Sequence, residues 1–186
     1  INVGIAGLGA IGMPVARWLD VGVNGLLLTG VSARNKLQAS ERVNDFNNPP
    51  PVMELSELVA ASDVLVEALP PEYFDELANP TVKAGKTLIV LTLTSLLPRL
   101  DLIDTATNSG AKIIAASGAL LGFDAVRAAA KGKIYSVTMK THKPPEGLKK
   151  AAFVVEQGIN LDGLDEPLCL YSGSVRDAAA KFPANV

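Results

Sequence analysis

The segment Gly7, Leu8, Gly9, Ala10, Ile11, Gly12 constrains this chain more than any other, because of what stands on either side of it. Residues 3–6 before it are apolar and few, as in a buried strand, and residues 13–19 after it carry apolar side chains at helical spacing. Glycines placed this way supply a tight turn at Gly7, a close backbone approach for a ligand at Gly9 and tight packing of helix on strand at Gly12. Amides at the helix start, carrying about half a positive charge from the aligned peptide dipoles, then face an anion, and pyrophosphate is the anion such turns hold. Pro14 falls in the first helical turn, where an amide has no intrahelical partner to lose. Gly7, Gly9, Ala10, Ile11 and Gly12 are therefore candidate cofactor contacts. The competing account, glycines that merely permit a sharp turn, is the weaker one for this placement.

The rest of the chain has the rhythm that such a turn requires. Short β-rich runs at residues 3–6, 26–31, 64–68, 87–93 and 112–116 alternate with helical stretches, which predicts an α/β fold with a Rossmann-type parallel sheet. The runs are almost continuously apolar, as expected when helices cover both faces of the sheet. Helices are predicted over 38–45 and 55–61, and the prolines at 49–51 exclude helix between them. From residue 117 onward the character changes. Residues 123–131 and 175–181 read as helices, and 134–140 and 167–172 as strands of a second, antiparallel layer. The predicted division is thus 1–117, a dinucleotide-binding Rossmann domain, and 118–186, the start of a smaller α+β substrate or oligomerisation domain. Two strands alone are marginal in water, so this second domain is expected to be incomplete or covered by a partner subunit, and a homo-oligomer is expected.

Composition narrows the function classes. The 186 residues are 48% hydrophobic with a formal net charge of −2, which argues against disorder and against a nucleic-acid-binding surface. The single Cys169 excludes an internal disulfide and a thiolate metal cluster; its apolar neighbours suggest a buried filler. The apolar opening run is too short for a membrane span and lacks the basic start of a signal peptide, so a cytoplasmic protein is expected. An opening strand without a preceding methionine also suggests a chain longer than the one in hand.

The second strand ends at Val31, Ser32, Ala33, Arg34, where NAD-selective sites commonly carry an acid for the adenosine ribose. No acid stands there. The Arg34 guanidinium can pair with a 2′-phosphate and Ser32 can add a hydroxyl donor, so NADP should be accepted at least as well as NAD. The alternative for Arg34 is a solvated loop arginine. Glu67–Ala68–Leu69–Pro70 and Leu93–Thr94–Ser95 lie at the carboxyl ends of the third and fourth predicted strands, the ligand edge of such sheets. They are expected to line the cofactor path, with Glu67 either a contact or a solvent-facing acid.

Three further segments carry a resemblance. Ser117–Gly118–Ala119–Leu120–Leu121–Gly122–Phe123–Asp124, then Thr141–His142–Lys143–Pro144–Pro145, then Phe182–Pro183–Ala184–Asn185–Val186 occur in the order found in the L-aspartate dehydrogenase family, and the chain resembles that family from first residue to last. The resemblance implies oxidative deamination of L-aspartate with NAD or NADP, through iminoaspartate, which feeds pyridine nucleotide biosynthesis or hydrolyses to oxaloacetate and ammonia. It places Ala119 and Asn185 at cofactor-contacting positions. The sequence departs from the family pattern at Leu121, where a glycine is usual, and at His142, where an arginine is usual. The resemblance also implies a catalytic histidine well beyond Asn185, so no residue here is assigned that role, and His142 reads as a loop residue. Lys143, on a proline-stiffened loop, is a candidate for binding a substrate carboxylate, with a solvated lysine as the alternative. Two other functions stay open: another Rossmann reductase, of homoserine or dihydrodipicolinate type, and a non-catalytic nucleotide-binding protein.

Overall fold

The computed structural model describes residues 1–116 and 122–183. The chain divides into two compact units, Ile1–Ala116 and Ser117–Val186.

The first unit runs β1 (Asn2–Ala6), α1 (Gly12–Val21), β2 (Leu27–Ser32), α2 (Lys36–Val43), α3 (Leu55–Ala61), β3 (Val64–Glu67), α4 (Phe74–Lys83), β4 (Thr87–Val90), α5 (Leu93–Leu96), α6 (Asp101–Ser109) and β5 (Lys112–Ala115). Its five strands form one sheet, all parallel, in the order β2-β1-β3-β4-β5. Both faces are covered, which explains the unbroken apolar runs. Val3, Ile5, Val31 and Val66 turn toward Met13, Ala16 and Leu19 of α1 and Ala39 and Val43 of α2. The alternate residues Leu65, Leu88 and Val90 turn toward Leu58 of α3, Phe74 and Leu77 of α4 and Leu102 of α6. A strand's side chains alternate between faces, so a helix layer on each side is what buries both sets. At Gly4 the cover is close enough that a Cβ would meet Ser62 Oγ at 2.5 Å and Leu58 Cδ1 at 2.9 Å.

Polar groups secure the helices to the sheet. The Lys86 ammonium donates to the carbonyls of Ala60 (3.0 Å) and Ser62 (2.7 Å) and to that of Val59, closing the carboxyl end of α3. Arg99 pairs with Asp75 of α4 and with Asp101 at the start of α6, and also donates to Asn79 Oδ1 at 2.9 Å. That guanidinium holds the Asp101 carboxyl below its ordinary range.

The two edges of the sheet differ. Beside β2 the chain returns at residues 51–53, where Val31 N–H donates to the Pro51 carbonyl (3.0 Å) and Met53 N–H to the Val31 carbonyl (2.8 Å). On the outer side of β5 no strand pairs among the described residues; Lys112 and Ala115 are exposed and Ile114 is 47% exposed.

The second unit holds α7 (Phe123–Ala129), α8 (Ala152–Glu156) and α9 (Val175–Lys181). Its small core is Val154, Leu161 and Phe182, with Phe153 edge-on to Phe182 (centroids 5.3 Å apart) and to Tyr171 (6.3 Å). Ser174 caps α9, its Oγ accepting from Asp177 N–H at 3.1 Å. Lys149 bridges Glu146 and Asp162, whose carboxylates raise its pKa.

The α+β expectation for this unit is corrected: neither 134–140 nor 167–172 is a strand, and no strand occurs among its described residues. The alternation of 134–140 is present, but Tyr135 and Val137 are exposed at 86% and 64%, with no neighbouring strand to take their backbone bonds. Cys169 is likewise exposed rather than a filler, since the segment that carries it packs only through Leu170 and Tyr171.

Candidate functional site

The sheet order reverses between β1 and β3, and a crevice for ligands opens at such a point, outside the carboxyl ends of the strands. Both strands end there in tightly joined turns. After β1 the chain turns at Gly7, whose N–H donates to the Ser32 carbonyl at 2.8 Å, so the turn is tied to the end of β2. Gly7 has φ +99°, and a Cβ there would lie 2.1 Å from the Ala68 carbonyl oxygen on the loop after β3. Gly12 has a second reason: its Cβ would lie 1.8 Å from the Gly7 carbonyl oxygen, so α1 could not start this close to β1 with any side chain present. Gly9 differs from both. Nothing stands within 4 Å of the place its Cβ would take, so the open space above the turn is what glycine preserves.

Gly9, Ala10 and Ile11 are exposed, and α1 begins with no side-chain cap and no acid in its first turn. The first helical bonds are Met13 N–H to Gly9 O (3.2 Å) and Val15 N–H to Ile11 O (3.3 Å). The amides of Ala10, Ile11 and Gly12 donate to no group among the described residues. Such a row at a helix start suits a diphosphate, so the donor set present fits a dinucleotide.

Glu67 is neither of the things expected of it. It is fully buried and faces neither solvent nor an open path. Its Oε1 accepts from Leu69 N–H and Thr92 Oγ1, both at 2.9 Å, and its Oε2 from Leu91 N–H (3.1 Å) and Thr92 N–H (2.9 Å). One carboxylate thereby joins the chain leaving β3 to the chain leaving β4, and holds Ala68 where it abuts Gly7. The fourth strand ends at Val90 rather than 93, because residues 91 and 92 bend inward to this carboxylate. Leu93–Leu96 then forms a single helical turn.

Ser32 and Arg34 separate. Ser32 is buried and contributes its carbonyl to the Gly7 turn, whereas Arg34 is exposed and lines an open cleft of about 180 Å³ with Leu8, Ala33, Asn35, Gln38, Ala39 and Arg42. Sequence reasoning passed over Asn35, Gln38 and Arg42. For Asn35 and Gln38 the signal was local, Asn35 capping α2 and accepting from Gln38 N–H at 3.1 Å; Arg42 stands four residues beyond Gln38 on the same helix, and its link to the turn is long-range. His142 and Lys143 are exposed in the second unit, and Lys143 makes no ion pair among the described residues. Ala119, Leu121 and Asn185 lie outside the described residues. Among the described residues no cluster of His, Cys, Asp and Glu could hold a metal ion, and no helix is long and apolar enough to cross a membrane.

Comparison with known proteins places this geometry. Residues 7–116 match the family described as homoserine dehydrogenase, NAD binding domain, and residues 124–186 match aspartate dehydrogenase, C-terminal. The whole chain is 43% identical to an L-aspartate dehydrogenase of Bradyrhizobium diazoefficiens, covering 66% of that protein. It is 42% identical over its full length to L-aspartate dehydrogenase 3 of Bordetella bronchiseptica, covering 69%. The chain thus spans about two thirds of the length of these curated relatives. Among solved structures, an aspartate dehydrogenase from Thermotoga maritima shares the fold, with a TM-score of 0.67 at 23% identity over all of this chain and 69% of that one.

Proposed function

The chain belongs to the L-aspartate dehydrogenase family, and on that premise we propose that it serves the NAD(P)-dependent oxidation of L-aspartate to iminoaspartate, which water converts to oxaloacetate and ammonia. The observation that carries this reading is the row of amides at Ala10, Ile11 and Gly12 at the switch point of the sheet, which have no partner among the described residues, Ala10 and Ile11 being exposed. When bound, the nicotinamide supplies the hydride acceptor for the substrate α-carbon. The residues of this chain bind and orient. The Gly7 to Gly12 turn takes the diphosphate, Glu67 fixes the loops flanking it, and Ala119 and Asn185 are proposed contacts on the nicotinamide side.

Oxidation of an α-amine to an imine removes a hydride and a proton together, so a proton acceptor must stand beside the amine. No residue of this chain is assigned that step. Lys143 is proposed to bind a substrate carboxylate, its exposed ammonium making no ion pair among the described residues. Lys143→Met in an enzyme assayed with aspartate is expected to raise KM about tenfold with kcat little changed, the pattern of a lost ground-state contact. An unchanged KM removes the residue from the substrate site.

The direct test of the reading is a fluorescence titration of the folded chain with NADH and NADPH, followed by a substrate panel on an enzyme that carries this chain together with a proton acceptor. Binding of at least one coenzyme, with turnover confined to aspartate and to oxaloacetate plus ammonia in reverse, is the expected result. Reduction of an aldehyde substrate instead would move the chain to the homoserine dehydrogenase side, which the match over residues 7–116 keeps in view. Self-association is also proposed, since Tyr135, Val137 and Val126 of the second unit leave apolar surface open.

A further inference from the structure

The cleft beside the glycine turn carries two guanidinium groups, Arg34 and Arg42, and no acidic residue lines it. Arg34 has no hydrogen-bond or ion-pair partner among the described residues. Arg42 spends one N–H on the Leu8 carbonyl, Nη1 to O 2.8 Å, which anchors it to the backbone of the turn and leaves its remaining N–H groups without an acceptor among the described residues. Of the acids nearest in sequence, Glu41 does not line the cleft, Asp45 is paired with Arg17 and Glu54 with Lys36. Two guanidinium groups on the wall of one small cleft repel each other, and an anion held between them would turn that repulsion into attraction.

Resting on the dinucleotide reading above, we propose that this cleft is a selective site for the 2′-phosphate of an adenosine ribose, gripped by Arg34 and Arg42, and that it makes NADP the preferred coenzyme. Three observations converge. Leu8 belongs both to the glycine turn and to the cleft wall, so the cleft adjoins the place where the diphosphate would lie, and the adenosine ribose is the next group along that molecule. The position at the end of β2 that would carry an acid to accept from a 2′-hydroxyl is occupied by Ala33 and Arg34. Gln38 and Asn35 add amide groups to the wall, and the Asn35 amide nitrogen is left over once its oxygen has capped α2. A planar guanidinium matches phosphate oxygens two at a time, which a lone lysine would not do.

The anchoring of Arg42 makes the two arginines separable by experiment. Arg34 touches only the cleft, so Arg34→Ala is expected to weaken NADPH at least about tenfold while NADH stays within about twofold. Arg42→Ala removes a phosphate partner and also releases the Leu8 carbonyl, so it is expected to weaken NADPH more strongly and NADH measurably. Both side chains are exposed; Arg34→Ala should unfold at the temperature of the parent, and Arg42→Ala slightly below it, because the part-buried Leu8 carbonyl loses its donor. The titration is done on the full chain with NADPH, NADH and, as competitors, 2′-AMP and 5′-AMP. Tighter binding of NADPH than NADH, displaced better by 2′-AMP and abolished as a preference in Arg34→Ala, is the expected outcome. Equal affinity for the two coenzymes, or a preference that survives Arg34→Ala, overturns this proposal while leaving the dinucleotide site in place. No binding of either coenzyme overturns both.

Discussion

Glu67→Ala should lower the free energy of unfolding by about 3 kcal/mol, the cost of stranding three partly buried amides at about 1 kcal/mol each, the lower end of the usual range. The three are Leu69, Leu91 and Thr92, which all donate to this one carboxylate. Glu67→Gln should do less harm, and the reason lies in how the donors divide. On the Oε2 side a new NH₂ would confront two amides; on the Oε1 side it meets one amide and the Thr92 hydroxyl, which can turn to accept and donate instead to the Leu69 carbonyl 3.2 Å away. Glutamine therefore strands a single amide, at about 1–3 kcal/mol. Urea unfolding monitored by circular dichroism measures both. A loss under about 1 kcal/mol for the alanine variant would mean that water replaces the carboxylate and that the loops are not held by it. Because Ala68 abuts Gly7, both variants should also loosen coenzyme binding in proportion to the movement of that loop.

Gly9→Ala is expected to reduce coenzyme affinity at least about a hundredfold while leaving stability within about 0.5 kcal/mol of the parent. The φ of Gly9 is not positive and its Cβ meets nothing, so alanine fits the empty turn without strain and narrows the choices of the unfolded chain. What alanine occupies is the approach to the amides. Gly7→Ala and Gly12→Ala fail for another reason: their Cβ atoms would strike the backbone carbonyls of Ala68 and Gly7, so both should unfold at lower temperature before binding is considered. Isothermal titration beside thermal melts distinguishes the cases. A Gly9→Ala chain that binds NADPH as tightly as the parent would end the assignment of the diphosphate to this turn.

Much of the first unit was legible from local pattern. Buried parallel strands write themselves as apolar runs, and the glycine turn supplied the first connection, so the five strands fall within three residues of their expected ends. The longest discrepancy, at the end of β4, traces to Glu67, whose partners are 24 and 25 residues away and invisible to any local spacing. A charged residue closing an otherwise unbroken apolar run was the available hint. The second unit was read less well because alternation reports only that one face of a segment wants cover; it does not report whether a neighbour exists. At the candidate site, Gly7 and Gly12 were legible as steric necessities and Arg34 as a cation. The role of Arg42 rests on a bond to Leu8 across 34 residues, which required the fold.

The unlike margins of the sheet set the direction in which it can grow. On the β2 flank, three consecutive prolines at 49–51 bring no N–H to offer, and the inward-facing groups of residues 51 and 53 are already spent on Val31. A newcomer finds little ladder there. The outer donors and acceptors of β5 meet no strand among the described residues. Any additional strand, whether from the same polypeptide or from a second molecule, extends the structure from Lys112–Ala115, and so on the side away from the arginine cleft.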